Sequence, residues 1–406
     1  RVILSGPAAV ASRAGLERLT TSPSVIVFDE LHKHRSWKGF LKWFFDSYGD
    51  RARCIVTGSS KLDVYRRGGD SLMGRYFIYR MHPFSVAETL HLDLPDQKRI
   101  VRTPKRIKPE DFDALWSHGG YPEPFLKRDS RFTGRWQETR MEQLLRGDVR
   151  DLTQIQQIDQ LEMLVKLLAD RSAGQLVYSN LARDVRVSSD TVKRWVDALG
   201  SLHHGFLIKP WFKNVSRSLR KEPKWFLRDW AGIENAGSKA ETFVECHLLK
   251  AVEGWADMGF GKFQLAYVRD KRQREVDFLV VRDGKPWFLV EVKQGEESIG
   301  DALRHYQEQL KAPFAFQVVL DADFVDADCF ARCLLAHLGR EQLRHPGFEV
   351  AALAPVLLRR REQIELPRRQ DVRGHVRQLD LDRLVLGDRH SECVALLRIP
   401  DRILEG

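Results

Sequence analysis

The first 90 residues alternate short apolar runs with segments of helical periodicity. One apolar run covers residues 25–28 and a second covers residues 54–56, while residues 37–45 between them have helical spacing of their apolar side chains. Short strands that alternate with helices are typical of a parallel sheet in an α/β domain. We therefore expect the two runs to be strands of such a sheet.

The pattern then changes to helices. Residues 91–170 are predicted to be largely helical, and residues 171–230 to form a helix-turn-helix followed by a hairpin. Ser188 and Ser189 are natural N-caps for the second helix of that pair. Four apolar residues of this helix share one face at i, i+3, i+4 and i+7: Val192, Trp195, Val196 and Leu199.

The last part of the chain returns to an α/β pattern at residues 231–331 and then loses all periodicity. After Lys311 there is no lysine, and from Arg332 onwards no period of 2 or 3.6 is sustained while arginine becomes frequent. We hypothesise that residues 332–406 are an atypical, Arg-rich tail that does not continue the preceding domain natively. The whole chain is thus predicted to be a multidomain α/β protein.

The composition of the chain indicates its compartment and the classes of partner that it could bind. The net charge of +10 permits a nucleic-acid partner without requiring one. The five cysteines include no C-x-x-C pair, which favours a reducing compartment over a disulfide framework or a structural zinc. No apolar run approaches the ~20 residues of a membrane span, and there is no signal peptide. We expect a cytoplasmic protein without a membrane partner and, since the chain does not begin with Met, a fragment.

The first acidic pair follows the apolar run at residues 25–28. An apolar strand that ends in Asp29-Glu30 has the form of a Walker B element, because ligands lie at the carboxyl ends of strands in parallel sheets. Asp29 would hold Mg²⁺, and Glu30 would orient and deprotonate the attacking water. The next run ends in Thr57 and Ser59, whose hydroxyls suit sensing the same phosphate. The alternative is a buried strand followed by acidic residues at a helix start.

Four sequence segments resemble one known group: VIVFDELHK, IVTGSSKLD, SLMGRYFIYRMHPFSVAE and HGGYPEP. The chain is similar to prokaryotic AAA-type ATPases that carry a restriction-endonuclease-like C-terminal domain. The resemblance covers residues 1–331. It implies that Asp29 and Glu30 are the Walker B pair, that Thr57 or Ser59 is the sensor, and that Arg75 is the arginine after the Leu-x-Gly turn.

One departure from that group concerns the phosphate-binding loop. No G-x-x-x-x-G-K-S/T segment occurs in these residues, so neither the anion-binding loop nor its lysine is present. Members of the group carry it upstream of the position that corresponds to residue 1. We therefore expect residues 1–90 to be a partial ATPase core, and ATP with Mg²⁺ to be bound by the full-length parent alone.

A second set of charged residues lies on a predicted hairpin at residues 275–293. Glu291 and Lys293 are two positions apart on one strand and share a face. A two-residue loop at Asp283-Gly284 would turn Asp277 away from Glu291, whereas a three-residue loop at 283–285 would set Asp277 opposite Glu291. We predict the three-residue loop, with Gly284 near the left-handed region and a bulge.

On that register the hairpin has the PD-(D/E)-x-K nuclease arrangement. Asp277 and Glu291 would hold Mg²⁺, with Lys293 assisting. Glu241 would be the fourth member of the site, and the similar group carries an acidic residue in that place. Two arginines of the preceding basic run would offer phosphate contacts: Arg269 and Arg272. The alternative is a hairpin with surface charges on one polar face, and the nuclease-like fold would not by itself fix an activity.

The helix-turn-helix at residues 171–230 suggests a winged-helix module. Lys193 and Arg194 lie off the apolar face of its second helix and would reach DNA. The alternative is a connector whose basic residues are solvated. The expected protein is therefore an AAA-type ATPase coupled to a nuclease-like, DNA-interacting domain, or an ATP-switched DNA-binding or scaffold protein whose nuclease-like domain is inert. A homo-oligomer is left open.

Overall fold

The structure is a computed structural model, and it describes residues 2–5, 24–29, 31, 36–49, 52–58, 72, 74–90, 92, 94–95, 100, 107–149, 157–211, 222–293, 300–319 and 394–397. Over these ranges the chain is a mixed α/β protein, as the sequence predicts. None of the helices in the described ranges has the length and apolar character needed to cross a bilayer.

The N-terminal sheet has three adjacent parallel strands: β1 (Val2–Ser5), β2 (Ser24–Asp29) and β3 (Ala52–Val56). The helix α1 (Trp37–Tyr48) lies between β2 and β3 in the chain. Phe28 of β2 is fully buried and meets Phe40 and Phe44 of α1 edge-to-face, with centroids 5.2 and 5.3 Å apart. The two predicted strands and the helix between them are thus confirmed, and they share one small core.

Two further strands complete this sheet: β4 (Ile78–Arg80) and β11 (Val394–Leu397). The strand order is β1-β2-β3-β11-β4. The strand β11 is antiparallel to both of its neighbours. It belongs to the predicted tail at residues 332–406, the rest of which lies outside the described residues.

The middle of the chain is helical, in agreement with the prediction. Its elements are α2 (Val86–Thr89), α3 (Pro109–His118), α4 (Pro122–Lys127), α5 (Ser130–Gln143), a π-helical turn (Leu144–Val149) and α6 (Ile158–Asp170). Pro109 and Pro122 each occupy the first turn of a helix, where the missing N–H costs no hydrogen bond.

Two consecutive helices, α7 (Tyr178–Val185) and α8 (Ser189–Ser201), precede a two-stranded antiparallel sheet of β5 (Gly205–Ile208) and β6 (Lys224–Leu227). The hydroxyl of Ser188 accepts a hydrogen bond from the backbone N–H of Thr191 at 3.1 Å, so Ser188 is the N-cap. All four residues predicted to form the apolar face of α8 are buried.

The C-terminal region begins with a 3₁₀ turn (Trp230–Gly232) and the 22-residue helix α9 (Ala236–Asp257). Three antiparallel strands follow: β7 (Phe263–Arg269), β8 (Glu275–Arg282) and β9 (Lys285–Lys293). The helix α10 (Asp301–Leu310) then crosses to β10 (Phe314–Val319), which is parallel to β9. The strand order is β10-β9-β8-β7.

The helix α9 also contacts β4 of the N-terminal sheet and the segment that follows it. Arg80 of β4 pairs with Asp257 at 2.6 Å, and Lys250 pairs with Glu88. The turn between α3 and α4 joins the same place, because the N–H of Phe84 donates to the carbonyl of Gly120 at 2.6 Å. We call these contacts the α9 junction.

Candidate functional sites

Asp29 and Thr57 meet at the carboxyl edge of the N-terminal sheet. The parallel register sets Phe28 beside Val56, so each strand ends at the same level. The hydroxyl of Thr57 donates to Oδ1 of Asp29 at 2.5 Å, and the N–H of Thr57 donates to the carbonyl of Phe28 at 2.9 Å. A carboxylate and a hydroxyl are oxygen ligands of the kind that Mg²⁺ takes, so these two side chains fit a Mg²⁺–phosphate ligand.

The other residues predicted for the nucleotide site are placed as follows. Arg75 follows a turn closed by its own N–H to the carbonyl of Leu72, and its side chain pairs with Asp46 of α1 at 3.1 Å. Among the described contacts none joins Arg75 to Asp29. Glu30 and Ser59 lie outside the described residues, so their assigned roles stay predictions.

The hairpin between β8 and β9 turns through two residues. Asp283 and Gly284 both have positive φ, at 50° and 78°. This is the geometry that Asp-Gly favours in a two-residue hairpin turn, and Asp283 accepts the N–H of Lys262 at 2.9 Å. The predicted three-residue loop is therefore wrong, whereas the predicted positive φ of Gly284 is confirmed.

A bulge next to this turn restores the register that the three-residue loop was expected to give. Val281 pairs with Pro286 but Val280 pairs with Phe288, so Trp287 is the extra residue on β9. Pro286 has no N–H to donate, which favours an irregularity at this point of the ladder. Beyond the bulge Phe278 pairs with Val290, and continuing this register by one position sets Asp277 opposite Glu291.

Three carboxylates lie around one ammonium group at the end of this sheet. Nζ of Lys224 pairs with Glu275, and lies 3.6 Å from Oε2 of Glu241 and 3.9 Å from Oδ1 of Asp277. Glu241 comes from α9, the other two carboxylates from β8, and Lys224 from β6. We call Lys224, Glu241, Glu275, Asp277, Glu291 and Lys293 the carboxylate centre.

Glu291 lies next to these groups on β9. Its Oε1 pairs with Nζ of Lys293 at 3.0 Å, while its buried Oε2 has no hydrogen-bond partner among the described residues. A Cβ on Gly300 would stand 2.7 Å from that Oε2, so the backbone before α10 approaches it as closely as glycine allows. Asp277 is tied to the same strand, because its Oδ2 accepts the N–H of Val292 at 2.8 Å.

The proton affinities of the centre depend on burial and on these neighbours. Burial, and then the carboxylate of Asp277, raise the pKa of Glu241 to about 7. Burial also raises the pKa of Asp277, against the opposing effects of Lys224 and of the Val292 N–H. Burial lowers the pKa of Lys224, but Glu241, Asp277 and Glu275 together raise it above its ordinary value. Lys224 is therefore an ammonium at neutral pH.

Sequence reasoning predicted four members of this centre and missed Lys224 and Glu275. Glu275 stands two positions before Asp277 on one strand, a spacing that places both near one face. Lys224 opens an apolar strand and is only 5% exposed, and a lysine is rarely buried without a carboxylate partner. The sequence contains only the first part of this signal, a lysine at the start of an apolar run, because the burial of Lys224 is known from the structure alone.

The expected metal does not fit the centre in this arrangement. In the described ranges, no group of three or more His, Cys, Asp or Glu side chains is arranged to hold a metal ion. The ammonium of Lys224 stands among the carboxylates that such an ion would require. In this arrangement the carboxylates are therefore paired with an ammonium and are not set to bind Mg²⁺.

The basic residues predicted to contact nucleic acid fall in two places. Lys193 and Arg194 are exposed on α8. Arg269 pairs with Glu275 at 3.0 Å, so it is bound to the carboxylate centre, and Arg272 is exposed in the turn that follows β7. Their contacts with phosphate stay predictions.

Comparison with known proteins gives one match of known class, in the N-terminal region. Residues 7–90 match the family model of an AAA domain, so this part of the chain has an ATPase-like assignment. Residues 109–240 match a domain of unknown function (DUF8612), and residues 236–324 match another (DUF4143). The descriptions of these two domains state no activity.

Similar proteins occur in two mycobacteria. The chain is 22% identical over 289 residues to an uncharacterized protein of Mycobacterium bovis and to one of Mycobacterium tuberculosis. The match covers 69% of this chain and 61% of each relative. The chain thus matches less than two thirds of the length of these relatives. No solved structure matches it.

Proposed function

We propose that the protein is an AAA-type ATPase whose nucleotide site is joined to a nuclease-like, DNA-interacting C-terminal domain. The ATPase assignment rests on the contact between Asp29 and Thr57 at the ends of adjacent parallel strands. It lies within the segment that matches an AAA domain. Ligands of open parallel sheets bind at this edge.

The two side chains have different roles in this proposal. Asp29 holds Mg²⁺ directly or through a water molecule, and Thr57 fixes the carboxylate through its hydroxyl hydrogen bond. Mg²⁺, when bound with ATP, neutralises charge on the phosphates. Glu30 is proposed to orient the attacking water, as its position directly after Asp29 suggests.

Hydrolysis of ATP tests this assignment. These 406 residues contain no G-x-x-x-x-G-K-S/T segment, so the assay uses a protein to which the whole strand, loop and helix unit that carries such a segment has been fused. We expect Asp29→Ala to lower the hydrolysis rate by about 100-fold, since it removes the metal-holding carboxylate. Asp283→Ala, on the remote hairpin, is the matched control. Equal rates for Asp29→Ala and the unaltered protein would refute the proposal.

The nuclease-like part of the proposal is supported by the order of elements and by the centre. A helix, three antiparallel strands, a second helix and a parallel strand follow one another from α9 to β10. Asp277, Glu291 and Lys293 are gathered at one end of that sheet. This is the set of groups that a PD-(D/E)-x-K domain uses.

DNA binding and cleavage test this second part. We expect DNA affinity to fall steeply with salt, and more steeply in the unaltered protein than in a Lys193→Ala/Arg194→Ala variant, because fewer phosphates are neutralised in the variant. Cleavage of plasmid and single-stranded DNA is then compared with Asp277→Ala and Lys293→Ala. DNA binding without cleavage in any of the three would select the inert domain, which the ammonium of Lys224 within the centre favours.

A further inference from the structure

Lys224 occupies the position that a cation must take to neutralise the carboxylate centre. Its ammonium lies within 4 Å of three carboxylates, and its side chain is only 5% exposed. The ammonium also lies over the ring of Tyr267, with Nζ 5.5 Å from the ring centroid. Removing a charged group from water costs free energy, and a lysine ammonium is buried in this way only where opposite charges surround it.

The backbone of Lys224 is held by two neighbours outside the C-terminal sheet. Within the β5–β6 sheet it pairs with Ile208, and on its other side it bridges to Gln175. The next residue continues this attachment, because the carbonyl of Trp225 accepts the N–H of Ala173 at 2.8 Å. The position of the ammonium is therefore set by residues 171–230, whereas the carboxylates belong to α9 and β8.

The remaining carboxylate of the centre still offers an acceptor. Oε2 of Glu291 is buried and has no hydrogen-bond partner among the described residues, although Oε1 is paired with Lys293. The centre thus contains one carboxylate oxygen that its own described side chains leave unmatched. A divalent cation at the centre would pair with this oxygen if Lys224 did not already supply the positive charge next to Asp277 and Glu241.

We propose that Lys224 is the resident cation of the carboxylate centre and excludes divalent metal from it as long as β6 stays in place. The inference rests on the proposed carboxylate site and deepens it: the centre is closed to metal by a side chain of the preceding module. Any metal-dependent reaction at Asp277 and Glu291 then requires β6 to withdraw. The nuclease-like domain is inert in the conformation described.

Binding of Mn²⁺ alone to the 406-residue chain tests this inference. Electron paramagnetic resonance measures free Mn²⁺ without nucleotide or DNA, in an Asp29→Ala background that removes the nucleotide-site ligand. We expect Lys224→Met to bind Mn²⁺ about tenfold or more tightly than the chain with Lys224, because the competing charge is lost while the apolar stem is kept. Asp277→Asn added to Lys224→Met should abolish the gain.

The matched control is Lys285→Met, whose side chain is exposed at the hairpin turn of the same sheet and lies outside the centre, so it should give no such gain. If Lys224→Met fails to fold, Lys224→Met/Glu275→Gln keeps the net charge and should show the same gain. The inference is overturned if the chain with Lys224 binds Mn²⁺ as tightly as the variant, or if a folded variant gains nothing. Failure of the ATPase assay alone would leave this result unaffected.

Discussion

The proposed nucleotide site and the carboxylate centre are both acidic, but they are assembled in different ways. Asp29 and Thr57 end two adjacent parallel strands with one helix between them in the chain. The carboxylate centre instead combines residues of β6, α9, β8 and β9, which belong to two different parts of the fold. The first site therefore needs a locally correct sheet, whereas the second needs the correct placement of one module against another.

The hydrophobic cores beneath the two sites also differ, because one is local and the other is shared by several parts of the fold. The N-terminal sheet and α1 share a separate small core around Phe28, Phe40 and Phe44. The helical region, the α7–β6 module and one face of the C-terminal sheet share one continuous core, to which Trp225, Phe243 and Phe278 belong. A change that separates the module from the C-terminal sheet should therefore affect the carboxylate centre before it affects the nucleotide site.

The largest effect on stability is expected from Lys224→Met. Removal of one partner of a buried charge cluster leaves carboxylates uncompensated, which costs about 3–5 kcal/mol. Chemical denaturation measures the free energy of unfolding, with Arg146→Met as the comparison variant at the exposed Arg146–Glu142 pair, for which about 1 kcal/mol or less is expected. Equal losses in the two variants would show that Lys224 is not the central cation.

A somewhat smaller loss is expected from Gly120→Ala at the α9 junction. A Cβ there would meet the carbonyl oxygen of Phe84 at 2.6 Å and the ring of Trp230 at 2.7 Å. Overpacking of this kind costs about 1–3 kcal/mol. Thermal unfolding measures it, and Gly134→Ala in α5, where a Cβ meets nothing within 4 Å, should stabilise the protein slightly. A neutral Gly120→Ala would mean that the junction adjusts freely.

The pH dependence of stability should identify Glu241. Its pKa rises from 4.5 to about 7 on folding, so its contribution to stability is present below pH 4.5 and is lost as the pH rises through 7. We expect a loss on the order of 2 kcal/mol across this window that Glu241→Gln removes. Unfolding titrations at a series of pH values test this, and an unchanged profile in Glu241→Gln would contradict it.

The smallest effect is expected at the nucleotide site from Thr57→Val. This variant keeps the shape of the side chain and removes the hydrogen bond to Asp29, which should lower ATP hydrolysis about tenfold in the loop-supplied protein. Stability should change little, because the contact lies at the sheet edge. A Thr57→Ser variant, which retains the hydroxyl, should restore the rate. Failure of that rescue would assign Thr57 a packing role.

The sequence alone was sufficient where a site or an element depends on neighbouring positions. The strands around Asp29 and Thr57, the helix between them, and the buried face of α8 follow from apolar spacing, because burial selects side chains at the period of each element. The pairing of Asp277 with Glu291 was also predicted. The bulge was predicted as well, but the loop length was wrong, since a two-residue turn precedes the bulge.

The tertiary structure alone decided what neutralises the carboxylates. Lys224 is 53 residues before Asp277 in the chain (277 − 224 = 53), and its strand pairs with a different sheet, so no local spacing links the two. Electrostatic energy depends on distance in space and on exclusion of water, and neither is encoded in a local pattern. The chain itself thus specifies the acidic residues, and the packing of the β5–β6 sheet against α9 and β8 determines which cation they hold.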